Sequence, residues 1–229
     1  IVGLPSAAVK ESRDRVRAAI SVSGLSFPFG KVTVNLAPAD VKKEGTAFEL
    51  AIAVALLAAR SPEAFCGLGE TMLLGELALD GRLMPVRGAL GMAITAARQG
   101  VRALILPRAN ARECECVAGL TVYPAETLLQ VCGHLSGKDP LAAQPAARYE
   151  AFASDEPAAF DLKYVKGQPA GRKALEIAAA GGHNLLMTGI PGSGKTMLAR
   201  CLPGILPPMT YKEARETTLI HSAAGELGE

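Results

Sequence analysis

The chain has 229 residues, of which 49% are hydrophobic and 20% charged, and its 24 Lys and Arg nearly balance its 22 Asp and Glu for a net charge of +2. This composition supports a packed core and excludes disorder, and the length accommodates two modest domains. With aromatic residues at 4% and no Trp, there is neither the electrostatic footprint of a dedicated DNA binder nor a base-stacking platform.

The opening Ile1-Val2-Gly3-Leu4-Pro5 has the character of a strand already under way, as expected of a piece cut from a longer protein at both ends. Ser6 caps a helix predicted from Ala7 to about Ser23 and stopped by Gly24. Val9, Val16, Ala19 and Ile20 form its apolar side, with Lys10, Arg13 and Arg17 elsewhere. Val32, Val34 and Leu36 alternate with Thr33 and Asn35, the pattern of a half-buried strand. Gly45 opens a long helix, Ala47 to Arg60, apolar on most sides and therefore central to the core. The run from Thr71 to Val86 predicts two strands joined at Asp80-Gly81, a strong hairpin signal. A helix from Gly88 follows, capped by Gly100. Arg102 to Pro107 and Leu120 to Pro124 are short buried strands, and Ala125 to Leu135 is a closing helix. The strand-helix-strand order from Leu83 to Leu106 predicts a mixed sheet covered by helices.

The stretch from Ser136 to Asp161 is rich in Ala, Pro, Gly, Ser and Asp without apolar period, which is linker composition. The expected organisation is a mixed α/β domain over residues 1–136, a linker over 137–158 and a second α/β domain over 159–229. In the latter, a helix runs from Gly171 to a glycine stop at Gly181-Gly182. His183 to Ile190 is a buried strand, and a helix from Lys195 is ended by Pro203-Gly204. Thr210 and Glu213 make a capping box for a helix from Tyr211 to about Ala224.

No charged-then-apolar leader opens the chain, and no apolar run reaches the ~18 residues of a membrane helix. The expected setting is therefore the cytoplasm, without membrane contact. Five cysteines, odd in number and lacking a CxxC pair, point to reduced thiols. Cys114 and Cys116 form at most half a metal site, since zinc takes four ligands.

The chemistry concentrates in Gly189-Ile190-Pro191-Gly192-Ser193-Gly194-Lys195-Thr196. A Gly, four residues, Gly, Lys and Thr between a strand and a helix is the pattern of a phosphate-binding loop; the alternative is an ordinary glycine-rich turn. Gly192 and Gly194 permit positive φ and close approach to phosphate oxygens, and the loop and helix amides point at the anion. Lys195 is expected to reach the β- and γ-phosphates of ATP, the Thr196 hydroxyl to ligate Mg2+, and the loop as a whole, Gly189 and Pro191 through Met197, to contact the nucleotide. Turnover needs a further acid at the end of a second apolar strand. Glu213, Glu216, Glu226 and Glu229 are the acids after Thr196, and none follows such a run. The 229 residues are expected to bind nucleotide without hydrolysing it.

The run from Val165 to Met209, above all Ala178 to Thr196, resembles the AAA+ core of magnesium-chelatase-like ATPases, and Glu216 to Leu227 is similar to that family's next helix. Thr33 to Ala59 and Gly75 to Pro107 resemble a Lon-protease-type domain. A Lon-type domain ahead of a chelatase-like ATPase is the arrangement of the YifB/ComM family, and the resemblance covers nearly the whole chain. It implies a homo-hexameric, ATP-driven motor acting on branched DNA during natural transformation. The Lon family places its serine nucleophile in Asp-Gly-Pro-Ser-Ala-Gly. Here Glu44-Gly45-Thr46-Ala47-Phe48-Glu49 puts Ala47 at the serine position, with Thr46 one residue off and about 100° away if both lie on a helix. At the family's lysine base stand Leu90 and Met92, and Gly88 to Ala97 contains no Lys. With nucleophile and base both missing, the front domain is expected to be an interaction or DNA-contacting module rather than a protease. The rivals are a magnesium chelatase subunit, a Lon-like peptidase acting through Thr46, and a non-enzymatic scaffold.

The resemblance also places Gln168 and Val165 near the adenine, against a simple helix entry. His183 and Asn184 sit beside the loop, as nucleotide sensors or as structural residues. His134 and His221 stand alone and are expected at the surface. Arg13, Arg15, Arg17 and Arg82 either face DNA or form a solvated face interleaved with Glu11 and Asp14.

Overall fold

The first helix, α1 (Ala7–Val22), begins at the expected cap, where the Ser6 hydroxyl accepts the Val9 N–H. The computed structural model describes residues 1–147 and 160–227. In it Val9, Val16, Ala19 and Ile20 are buried along α1, as their spacing predicts. The chain divides into two compact units, Ile1–Arg148 with Arg215–Glu229, and Tyr149–Ala214.

In the first unit, α2 (Glu49–Arg60) buries Leu50, Ile52, Ala53, Val54, Leu56 and Leu57, which makes it the central helix expected from its apolar sequence. Full burial of one such leucine contributes about 2 kcal/mol. The helix starts later than predicted, because Gly45 (φ 80°) turns the chain and Thr46 and Ala47 complete a turn ahead of it. Val32 to Leu36 does not form the predicted strand. Its pairing is limited to Val2, whose N–H reaches the Val34 carbonyl and whose carbonyl accepts the Leu36 N–H, and Val32 is exposed.

The predicted two-strand run is three strands in two sheets: β1 (Thr71–Leu73), β2 (Glu76–Leu77) and β3 (Leu83–Met84). β2 and β3 are antiparallel across Asp80-Gly81, as the hairpin signal requires. The break falls at Gly75, whose N–H donates to the Ala47 carbonyl while its own carbonyl accepts the Leu50 N–H. A Cβ there would lie 3.4 Å from Leu50 Cβ, so glycine lets the chain pass close against α2. α3 (Ala89–Arg98) leads to β4 (Ala103–Pro107); α4 (Arg108–Cys114), a helix without a forecast, leads to β5 (Thr121–Ala125), and α5 (Leu128–Leu135) follows from its Thr127 cap. The sheet is wholly parallel, in the order β1-β4-β5, so β3 and β4 lie in different sheets and the predicted mixed sheet does not form.

β4 explains its own unbroken apolar sequence. Ile105 packs with Leu50, Leu128 and Val131, while Leu104 and Leu106 pack with Ala89, Ala93, Cys114 and Val122. A strand covered on both faces has no polar alternation to show. Of the predicted linker, residues 148–158 lie outside the described residues, as does residue 159. The part before them is bound to the first unit: the Gln144 N–H donates to the Val122 carbonyl of the edge strand β5, and Ala147 N–H to the Glu115 carbonyl.

The second unit holds α6 (Pro169–Gly181), stopped by Gly182 in the left-handed conformation, and α7 (Lys195–Cys201), continued by a 3-10 turn over Leu202–Ile205. Leu162, Val165, Leu175, Leu198 and Cys201 form its core. α8 (Tyr211–Ala224) starts at the predicted capping box: the Thr210 N–H donates to Glu213 at 2.8 Å and the Glu213 N–H to the Thr210 hydroxyl at 3.3 Å. From Arg215 onward the helix belongs to the first unit, where the buried Ser222 donates its hydroxyl to Glu113. His183 to Ile190 does not form the predicted buried strand: it pairs with no strand among the described residues, and Leu186 is 88% exposed. The fold class is α/β, as read from sequence.

Candidate functional site

The loop before α7 is built by its glycines. Gly192 and Gly194 have φ of 81° and 85°, where a side chain would strain the backbone. The Ser193 N–H reaches the Ile190 carbonyl at 3.3 Å and closes the turn. Lys195, first residue of α7, folds its ammonium back over the loop. Its Nζ donates to the Gly189 and Ile190 carbonyls, both at 2.8 Å, and to Ser193 Oγ at 3.2 Å. A Cβ on Gly189 would sit 3.1 Å from Ser193 Oγ and 3.9 Å from Lys195 Nζ, so glycine keeps the space before the ammonium open.

Pro191, Thr196 and Met197 are exposed, so the Thr196 hydroxyl is available from solvent, while the next residue, Leu198, anchors α7 in the core. Open space at Gly192 and an ammonium over the loop suit a polyphosphate, and the Thr196 hydroxyl is a hard oxygen ligand of the kind Mg2+ takes.

Gln168 was not assigned to the loop from sequence. Its Nε2 donates to the Ser193 carbonyl at 3.0 Å, across 25 residues. Val165, its companion in the adenine assignment, is buried in the second unit's core. The signal for Gln168 was its setting between Gly167 and Pro169, which favours an irregular backbone. His183 and Asn184 are exposed.

Of the acids after Thr196, Glu229 lies outside the described residues, and the other three are committed elsewhere or exposed. Glu213 caps α8, and the Thr210 N–H and hydroxyl hold its carboxyl below the usual range. Glu226 faces His221 at 3.2 Å, and Glu216 is exposed. Among the described residues no group of three His, Cys, Asp or Glu gathers as a metal site. Cys114 is buried, and burial pushes its thiol up; burial also raises Cys116.

In the first unit Ala47 is half-buried in the turn before α2, with its carbonyl engaged by Gly75. Thr46 lies in the same turn, not on a helix, so the expected 100° rotation does not apply; its hydroxyl instead donates to the Glu76 carboxylate. Leu90 is fully buried and Met92 half-buried on α3. The four candidate DNA-facing arginines all have internal partners. Arg13 pairs with Asp14 and Arg82 with Asp80, Arg17 lies over the Phe27 ring, and Arg15 pairs with the buried Glu49. His134 is not the isolated surface residue expected: it stacks on Tyr123 and its Nδ1 accepts the Leu141 N–H at 3.0 Å.

Comparison with known proteins matches residues 1–110 to the family described as subunit ChlI of Mg-chelatase, and residues 161–229 to magnesium chelatase, subunit ChlI. The chain is 49% identical over 222 residues to an uncharacterized protein, YifB, of Salmonella typhimurium, covering 97% of this chain and 43% of that one. It is 44% identical over 224 residues to the competence protein ComM of Haemophilus influenzae, covering 97% and 44% respectively. A Lon protease of Brevibacillus choshinensis is 28% identical over 118 residues, 48% of this chain and 14% of that protein. The chain thus spans less than half the length of the curated relatives it matches. No helix among the described residues is long and apolar enough to cross a membrane.

Proposed function

The chain belongs to the YifB/ComM branch of the magnesium-chelatase-like AAA+ family, and from that premise we propose that Gly189 and Pro191 to Met197 hold Mg-ATP for a cytoplasmic, hexameric motor that acts on branched DNA in natural transformation. The carrying observation is the Lys195 ammonium, 2.8 Å from two loop carbonyls and facing the space that a Cβ on Gly189 would narrow. Lys195 would hold the β- and γ-phosphate oxygens in place of those carbonyls, the loop amides would take the remaining charge, and the Thr196 hydroxyl would hold the metal. Bound Mg-ATP supplies the free energy of phosphoryl transfer. The front unit, with Ala47 and Leu90 where a peptidase would carry its dyad, serves assembly or DNA contact.

Calorimetry with Mg-ATP tests the loop. Wild type should bind weakly and Lys195→Ala not at all; equal heats would remove the assignment. The 229-residue chain should release no phosphate, because no described acid completes the site; steady release abolished by Lys195→Ala would contradict this. The family descriptions favour one second reading, an ATPase subunit for metal insertion. Identity to ComM across 97% of the chain, front unit included, supports the DNA motor instead. A protein of the relatives' length that carries this sequence should hydrolyse ATP faster with a four-way DNA junction. Stimulation by a porphyrin and not by the junction would reverse the choice.

A further inference from the structure

Gln168 has an unusual backbone for a residue with a side chain. Its φ and ψ are 54° and 47°, and among the described residues only Leu4 shares a positive φ without being glycine. The left-handed conformation is unfavourable for an L residue, and glutamine lacks the short side chain with which Asn or Asp offsets it. Such a residue persists where its side chain has something to do. Here the side chain crosses 25 residues of sequence to donate from Nε2 to the Ser193 carbonyl in the phosphate loop.

The two ends of this contact differ in rigidity. On the Gln168 side, Pro169 begins α6, the Gln168 carbonyl accepts the Arg172 N–H, and a Cβ on Gly171 would lie only 3.1 Å from Leu198 Cδ1. The backbone of α6 is therefore seated directly on a core leucine. On the loop side, Ser193 lies between two glycines at positive φ, the least restrained backbone available. A planar trans peptide points its N–H opposite to its carbonyl. Holding the Ser193 carbonyl on Gln168 turns the Gly194 N–H away from Gln168 and keeps the negative end of that peptide from rotating toward an anion.

Resting on the assignment of the loop to ATP, we propose that Gln168 is a positioning residue of the nucleotide site. It fixes the Ser193-Gly194 peptide with its N–H toward phosphate, and it raises affinity without touching nucleotide.

Gln168→Gly separates this role from a merely structural one. Glycine accepts φ 54° without strain, which offsets the lost hydrogen bond in stability but not in loop order. Gln168→Glu keeps the shape and sets a carboxylate against the Ser193 carbonyl. Mg-ATP calorimetry, thermal unfolding and amide exchange of the 229-residue chain are measured for wild type, both variants and Lys195→Ala. The expected result is about tenfold weaker binding in both Gln168 variants. The Gln168→Gly melting temperature should stay near wild type, with faster exchange at Gly194. Wild-type affinity and Gly194 exchange in Gln168→Gly, with binding lost in Lys195→Ala, would overturn the role of Gln168 alone. Identical heats in wild type and Lys195→Ala would overturn the loop assignment, and this inference with it.

Discussion

Replacing Arg15 by methionine should destabilise the first unit by about 2–3 kcal/mol. The Glu49 side chain is 1% exposed and that of Arg15 27%. One carboxylate oxygen accepts from Arg15 Nε at 2.9 Å and Nη2 at 2.5 Å, and the other accepts the Leu77 N–H at 2.8 Å. Removing one partner of a fully buried pair costs about 3–5 kcal/mol, because the remaining charge is stranded. Water reaches the quarter-exposed guanidinium, which lowers the cost to about 2–3 kcal/mol. In a domain of this size that corresponds to a fall of roughly 4–12 °C in melting temperature. Adding Glu49→Gln to Arg15→Met should recover most of the loss, since the amide removes the charge and keeps an acceptor for Leu77. The assay is urea unfolding of wild type, both single variants and the double variant, read as shifts in midpoint at constant slope. A loss below about 0.5 kcal/mol, the worth of an exposed ion pair, would mean that Glu49 is hydrated and that Arg15 is not its counter-ion. An Arg15 that served DNA would show the opposite pattern, unchanged stability with weaker DNA binding.

Stability should also depend on His134, whose burial lowers its pKa from 6.5. The unfolded state then binds more protons than the native one, so this contribution is present above about pH 6.5 and is lost as pH falls through the lower native value. Protonation also removes Nδ1 as acceptor for Leu141. The urea midpoint should drop between about pH 7.5 and pH 5 by more in wild type than in His134→Gln; equal drops would refute the link. In the first unit, wild type should leave casein intact and Thr46→Ala should match it. Cleavage that disappears in Thr46→Ala would restore a peptidase, with Thr46 as its nucleophile beside Glu76.

Some of these features are readable from residues a few positions apart. The capping box at Thr210 and Glu213, the stop at Gly182, the apolar side of α1 and the glycines of the loop each depend on groups within one or two helical turns. Strands were less legible. Val32 to Leu36 and His183 to Ile190 carry strand composition, yet a strand exists only where another segment supplies hydrogen bonds. The run through Leu74-Gly75 divides between two sheets because α2 passes directly over Gly75, and nothing within the run records that.

The α/β class, most of the helices and the glycine pattern from Gly189 to Thr196 are legible in the residues alone, since each is a matter of local spacing or residue identity. Only the tertiary structure decided that Arg15 neutralises Glu49 across 34 residues, that His134 holds Leu141, and that Gln168 reaches Ser193. In each of these a polar group finds its partner only after apolar packing has brought two distant segments together. Packing is a property of the assembled cores, and no short window of residues contains it.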